Sequence, residues 1–184
     1  MIVTKEELRK RILKERLDQD PAKKAERDRL IRERLSSLPE FQRAKVILLY
    51  YPIKGEPDLR PLFPEILADG TLVLPKVRGE DLALVRVEDL RKFKPGAFGI
   101  LEPEGDGQVD PEEVDLAVVP GVVFDRECFR IGFGKGFYDR LLRRIKAPKV
   151  GVAYSFQVVR DLPKDPWDVP LDLVLTEDEL IRRL

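Results

Sequence analysis

Histidine and asparagine are both absent from this chain, and cysteine, methionine and tryptophan occur once each. Without histidine, a histidine-ligated zinc site and a Ser-His-Asp triad are excluded. Acid–base work near neutral pH falls to carboxylates, lysine, tyrosine or the substrate itself. The lone Cys128 rules out an internal disulfide and fits a reducing compartment. No apolar run approaches the roughly 18 residues of a membrane-spanning helix. The start, MIVTKEELRKR, has no apolar core of the kind a signal peptide needs. The expectation is a cytoplasmic protein without a membrane partner. Neither sign of charge is in excess, with 34 Lys+Arg against 34 Asp+Glu. A general polyanion binder carries a basic surplus, so no nucleic-acid partner is expected, and any phosphate handling must be local.

What the chain does have is charge of both signs, 37% of all residues, together with 43% hydrophobic residues and 15 prolines. With the missing asparagine, that composition points to a thermophilic source. The length of 184 residues suits one domain over 1–184, with a monomer as the simplest assembly. Thr4-Lys5-Glu6-Glu7 is a capping box that opens a helix with Leu8, Ile12 and Leu13 inward and Leu17 following. Asp20-Pro21 starts a second helix whose stripe is Ile31, Leu35 and Leu38, ended by Pro39. The period then changes. Val46–Tyr51 is a continuous apolar run, the mark of a strand buried on both faces. Further strands are predicted at Thr71–Leu74, Leu82–Val87, Leu116–Val119, Val150–Ala153 and Leu173–Leu175, with Leu82–Val87 as an antiparallel excursion or edge. Helices are predicted over Asp58–Ala68, Phe137–Ile145 and from Glu177 to the C-terminus, and a surface loop over Glu102–Glu113. Alternation of this kind gives an α/β fold, a single three-layer α/β/α domain with a largely parallel sheet behind an N-terminal helical pair.

The most informative stretch runs from Val118-Val119-Pro120-Gly121 through Phe124-Asp125 to Arg130-Ile131-Gly132-Phe133-Gly134-Lys135-Gly136-Phe137-Tyr138-Asp139. A strand ends at Pro120, and ligands of open α/β sheets bind beyond the carboxyl ends of strands. Closely spaced glycines let backbone N–H groups approach an anion, a helix start adds free N–H groups, and Arg130 and Lys135 add cations. Neither the Gly-x-Gly-x-x-Gly nor the Gly-Lys-Ser/Thr fingerprint is met. Lys135-Gly136-Phe137 begins like the central peptide of an RNA-recognition motif, but Tyr138 breaks that pattern. Local chemistry indicates a phosphate without saying whose.

The whole string resembles the signature of the 5-formyltetrahydrofolate cyclo-ligase family. The resemblance extends along the chain through Lys5-x-x-Leu8-Arg9, Tyr51 to Gly55-Glu56, Leu74-Pro75-Lys76, Phe98-Gly99-Ile100-x-Glu102-Pro103 and the late Asp168. It implies a NagB/RpiA/CoA-transferase-like fold and an enzyme that uses ATP and magnesium. That enzyme would close 5-formyltetrahydrofolate into 5,10-methenyltetrahydrofolate by phosphorylating the formyl oxygen ahead of attack by N10. By resemblance, Lys5, Arg9, Arg130, Ile131, Gly132, Phe133, Gly134, Lys135, Gly136, Phe137 and Tyr138 hold ATP. Among these, Lys135 and Arg130 stabilise charge on the transferring phosphoryl group. Tyr51, Glu56, Phe98 and Phe137 meet the folate, and Asp139 and Asp168 hold magnesium, with Asp165 and Asp172 close enough in sequence to compete for the late position. Phe137 departs from the family, where tyrosine is usual: the ring face is kept and a hydroxyl is lost. Cys128 is given no catalytic role.

Overall fold

The computed structural model describes residues 3–105 and 107–183. Helix α1 (Lys5–Leu17) begins where the Thr4 hydroxyl accepts the Glu7 amide. Helix α2 (Pro21–Ser36) begins where Asp20 accepts the Lys23 amide, with Pro21 supplying a preset φ. A short α3 (Pro39–Arg43) leads into β1 (Val46–Leu48). The helix expected over Asp58–Ala68 is divided by its prolines into a 3-10 turn, Arg60–Leu62, and α4 (Phe63–Asp69). There follow β2 (Thr71–Arg78), β3 (Asp81–Arg86), β4 (Phe93–Pro95), β5 (Leu101–Pro103), β6 (Leu116–Val119), β7 (Val123–Asp125), β8 (Arg130–Ile131) and α5 (Phe137–Leu142). The chain closes with β9 (Lys149–Val152), β10 (Val158–Val159), β11 (Leu173–Leu175) and β12 (Leu180–Arg182).

Seven strands form the main sheet in the order β12-β11-β9-β6-β1-β2-β3. The five inner strands pair in parallel, and β3 and β12 close the two edges antiparallel. Side chains alternate across it with the period of a strand. Ile47, Leu49, Leu72, Leu74, Leu116, Val118, Leu173 and Leu175 pack on one face with Ile31 and Leu35 of α2 and Phe63 and Ile66 of α4. Leu48, Val73, Ala117, Val119 and Val174 pack on the other with Leu141 and Leu142 of α5. Helices therefore cover both faces of a largely parallel sheet. The first helix joins neither cluster: Leu8 and Ile12 pack on Val122, Val123, Ile131 and Leu162, under a small sheet of order β10-β7-β8. No helix among the described residues is long and apolar enough to cross a membrane.

Four further expectations need correction. The segment after Glu177 is an edge strand instead of a helix, because the Thr176 hydroxyl accepts the Asp178 and Glu179 amides and turns the chain back on β11. Glu102 does not belong to a surface loop; it lies in β5, 5% exposed, and its carboxylate accepts the Val77 amide. Of the rest of that stretch, Asp106 is outside the described residues. Helix α5 ends at Leu142, short of Ile145, so a single turn and a half stands behind the glycine loop. Leu17, expected to follow the inward stripe, is 56% exposed, while Arg16 is 1% exposed. Residues 8, 12 and 16 repeat every four positions and share a face, which leaves Leu17 about a quarter-turn away.

Candidate active site

One cavity of about 440 Å³ opens where the chain leaves β1 and β6, lined there by Tyr50, Tyr51, Pro120 and Gly121. This is the crevice beyond strand carboxyl ends in which open α/β sheets bind ligands. All the residues assigned above to ATP, folate or magnesium line it: Lys5, Arg9, Tyr51, Glu56, Phe98, every residue from Arg130 to Asp139, and Asp168. They come from α1, three loops and the β8–α5 connection, a convergence that only the folded chain produces.

The glycine loop does not follow β6 directly. The β7–β8 hairpin intervenes and delivers the loop from the small sheet. Gly136 caps α5 with φ at 72°, a left-handed conformation that side chains disfavour. Arg9 donates from Nε to the Gly132 carbonyl at 2.7 Å and so fixes the entry to the loop from α1. Arg130 is 8% exposed; its Nε donates to the Pro120 carbonyl at 3.0 Å and its Nη1 lies 3.7 Å from Asp139. Burial pulls the pKa of this guanidinium down, while Asp139 and Tyr138 support its charge. Lys135 extends over the mouth, its ammonium 5.1 Å from the Phe98 ring centre, and Phe98 lies 6.2 Å from Phe137. Phe98 is 65% exposed at a left-handed φ of 59°, a flat apolar surface presented to the cavity.

The opposite end is built on Glu56. Its side chain is 3% exposed, and one carboxylate oxygen accepts the Ile53 amide at 2.9 Å. Burial lifts its pKa to about 7, against the pull of that amide and of the Arg16 and Arg130 charges. A carboxylate here can accept two parallel N–H donors from a flat heterocycle, with Tyr51 alongside. Tyr51 is held by Phe93, at 5.7 Å between ring centres, and by Arg60.

The late acidic position resolves into two neighbours. Lys5 donates to Asp168 at 2.8 Å and to Asp165 at 2.7 Å, and the Asp165 amide also donates to Asp168. Burial pulls the Lys5 ammonium down, but those bonds outweigh it and hold its pKa above the usual lysine range. Asp172 lies away from the cavity and accepts the Lys149 amide beside the sheet. Among the described residues no cluster of three or more His, Cys, Asp or Glu side chains could hold a metal alone. Asp139 and Asp168 are nonetheless hard oxygen donors on one cavity, each balanced by a side-chain cation. That suits an ion such as magnesium, which takes one or two carboxylates and completes its shell with phosphate and water.

Sequence reasoning missed Tyr50, Trp167 and, behind the wall, Arg16, and it named Asp165 only as a competitor for the late acidic position. Tyr50 is 2% exposed and donates its hydroxyl to the Pro57 carbonyl, so its apolar surroundings made it look like core. Trp167 is 61% exposed at the cavity rim, and its exposure has no local sequence signal.

Residues 1–177 match the model of the 5-formyltetrahydrofolate cyclo-ligase family. A 5-formyltetrahydrofolate cyclo-ligase of Mycoplasma pneumoniae is 34% identical over 179 residues, covering 95% of this chain and 99% of its own. That of Haemophilus influenzae is 30% identical over 176 residues, covering 91% and 94%. The NMR structure of Aquifex aeolicus 5,10-methenyltetrahydrofolate synthetase superposes with a TM-score of 0.90 at 50% identity, covering 97% of this chain and 92% of that one. The 5,10-methenyltetrahydrofolate synthetase structure from Mycoplasma pneumoniae gives a TM-score of 0.80 at 32% identity, with 95% and 99% covered. The sequence signature, the sheet that delivers it and these relatives agree over nearly the whole length, and the chain belongs to the 5-formyltetrahydrofolate cyclo-ligase family, a family of ligases.

Proposed function

We propose that this chain closes 5-formyltetrahydrofolate into 5,10-methenyltetrahydrofolate at the expense of ATP, releasing ADP and phosphate. The observation that carries the reading is one cavity that joins a basic glycine loop to a buried carboxylate with flat apolar walls. Residues 132–136 offer backbone donors, and Lys5, Arg9, Arg130 and Lys135 offer cations, to a triphosphate. Glu56 takes the pterin's amino and ring N–H groups, with Tyr51, Phe98 and Phe137 against its rings. The reading requires that, in that pose, the formyl oxygen face the γ-phosphoryl group.

A formamide oxygen is a poor leaving group. Its attack on the γ-phosphorus forms an O–P bond as the bond to ADP breaks. N10 then attacks the activated carbon and loses its proton, and phosphate departs with the former formyl oxygen. Charge on the phosphoryl group is the main burden, which Lys135 and Arg130 carry by positioned electrostatics. Magnesium held by Asp139 and Asp168 would supply further neutralisation of the phosphates. The departing phosphate can take the N10 proton, so the absence of histidine is no obstacle. The test is spectrophotometric: methenyltetrahydrofolate absorbance should rise only when protein, 5-formyltetrahydrofolate and Mg-ATP are all present. No rise with all three, at temperatures up to those of a thermophile, would refute the reading.

A further inference from the structure

Lys5, Arg9, Ile12 and Arg16 repeat at spacings of four and three, so they form one stripe of α1. The first two meet the cavity directly. Arg16 lies behind its wall, 1% exposed, with Nε donating to the Lys54 carbonyl at 3.0 Å and Nη1 to the Gly121 carbonyl at 3.1 Å. Its Nη2 is buried without a hydrogen-bond partner among the described residues. A buried guanidinium with an unpaired donor is destabilising, and an apolar side chain would continue the Leu8–Ile12 stripe at less cost. Packing alone therefore gives no reason for arginine here.

The two carbonyls do. Lys54 and Gly55 are consecutive left-handed residues, with φ of 48° and 75°, in the turn that precedes Glu56. Such backbone persists where its surroundings hold it. A Cβ on Gly55 would lie 3.4 Å from the Arg16 carbonyl oxygen and 3.5 Å from its Cγ, so the turn rests directly on Arg16. Gly121, at the exit of β6, forms the facing wall. We propose that Arg16 is a positioning residue for the folate end of the site, clamping the Lys54–Gly55 turn to the Gly121 strand end so that Glu56 stands where the pterin is read. This rests on the reading of Glu56 as the folate contact.

The charge adds a second, separable effect. Glu56 faces Arg16 from α1, Arg130 from β8, Lys54 from its own turn, and the Tyr50 and Tyr138 phenols. Removing the Arg16 charge should move the ionisation of Glu56 to higher pH.

The test compares Arg16→Gln, Arg16→Lys and Glu56→Gln with the wild type, by steady-state kinetics across pH and by a separate Mg-ATP binding titration. Arg16→Gln should raise KM for 5-formyltetrahydrofolate at least tenfold, leave Mg-ATP affinity within twofold, and shift the folate pH limb upward. Arg16→Lys keeps the charge and one of two bonds, so it should leave that limb in place and recover part of the KM. A folded Arg16→Gln with the wild-type folate KM and pH limb would overturn the proposal. So would folate and Mg-ATP affinities falling together with thermal stability, which is the mark of a merely structural role. Should Arg16→Gln not fold, a folded Arg16→Lys decides alone: a raised folate KM with unchanged Mg-ATP affinity supports the clamp, and a wild-type KM refutes it. Glu56→Gln separates the two levels. If its folate KM is that of the wild type, the reading of Glu56 fails and the clamp with it. If Glu56→Gln is defective and Arg16→Gln is not, only the clamp fails.

Discussion

The ammonium of Lys5 sits 2.8 Å from the Asp168 carboxylate, so a cation proposed for the nucleotide and a carboxylate proposed for the metal neutralise each other. Asp165 shares the same ammonium at 2.7 Å. Binding a magnesium nucleotide would exchange this internal pair for two external ones, Asp168 with the metal and Lys5 with phosphate. Metal and nucleotide then each remove an obstacle to the other.

Replacing Lys5 by methionine should therefore act in opposite directions on the two ligands. Affinity for Mn²⁺ or Mg²⁺ alone is expected to rise severalfold, and affinity for Mg-ATP to fall about tenfold, or about 1.4 kcal/mol. Trp167, the single tryptophan, lies at the cavity rim between Asp165 and Asp168 and offers a fluorescence readout for both titrations. Parallel losses for metal and nucleotide would contradict the exchange.

Lys135 is exposed and contacts the Phe98 ring without bracing the core. Lys135→Ala should cut turnover about 10²-fold, the scale seen on removing one charge-stabilising donor, with the thermal midpoint unchanged. Unchanged turnover would remove the loop's cation from the mechanism.

Glu56 gives the pH dependence. Its ionisation near pH 7 means that kcat/KM for the folate should climb through about pH 7, and the climb should vanish in Glu56→Gln. Linkage fixes the sign for stability. An acid whose folded pKa is raised keeps its proton longer when folded, so its contribution is full below about 4.5 and is lost as pH rises through about 7. Glu56→Gln should therefore gain stability over the wild type at pH 8, by at most about 3 kcal/mol, and gain none below pH 4.5. Denaturant midpoints of both proteins at the two pH values check this.

Cys128 is fully buried, and burial beside Asp125 pushes its thiol pKa up to about 11. Thiol reagents at neutral pH should label it only after unfolding, while leaving activity intact. Rapid labelling of the native protein would refute its placement.

The strands were legible wherever both sheet faces are covered, because burial on both sides demands uninterrupted apolar runs such as Leu116–Val119 and Leu173–Leu175. Edge strand β12 was not, since Glu-Asp-Glu-Leu-Ile-Arg-Arg suits a helix and only the Thr176 turn against β11 overrides that preference. The glycine loop could be read locally because its chemistry lies within ten consecutive residues. Arg16 could not: a charged side chain on a charged helix reads as solvated, and its burial depends on carbonyls 38 and 105 residues away. Asp165 and Asp168 are separated in role from Asp172 only by the path of the loop before β11.

The measurement that bears most directly on the account is isotope tracing with 5-formyltetrahydrofolate carrying ¹⁸O in the formyl group, incubated with the protein and Mg-ATP. The ³¹P NMR isotope shift of the released phosphate reports the oxygen's fate. The account predicts one ¹⁸O in each phosphate, formed in step with methenyltetrahydrofolate and lost in proportion to turnover in Lys135→Ala. Methenyl product accompanied by unlabelled phosphate would contradict phosphorylation of the formyl oxygen.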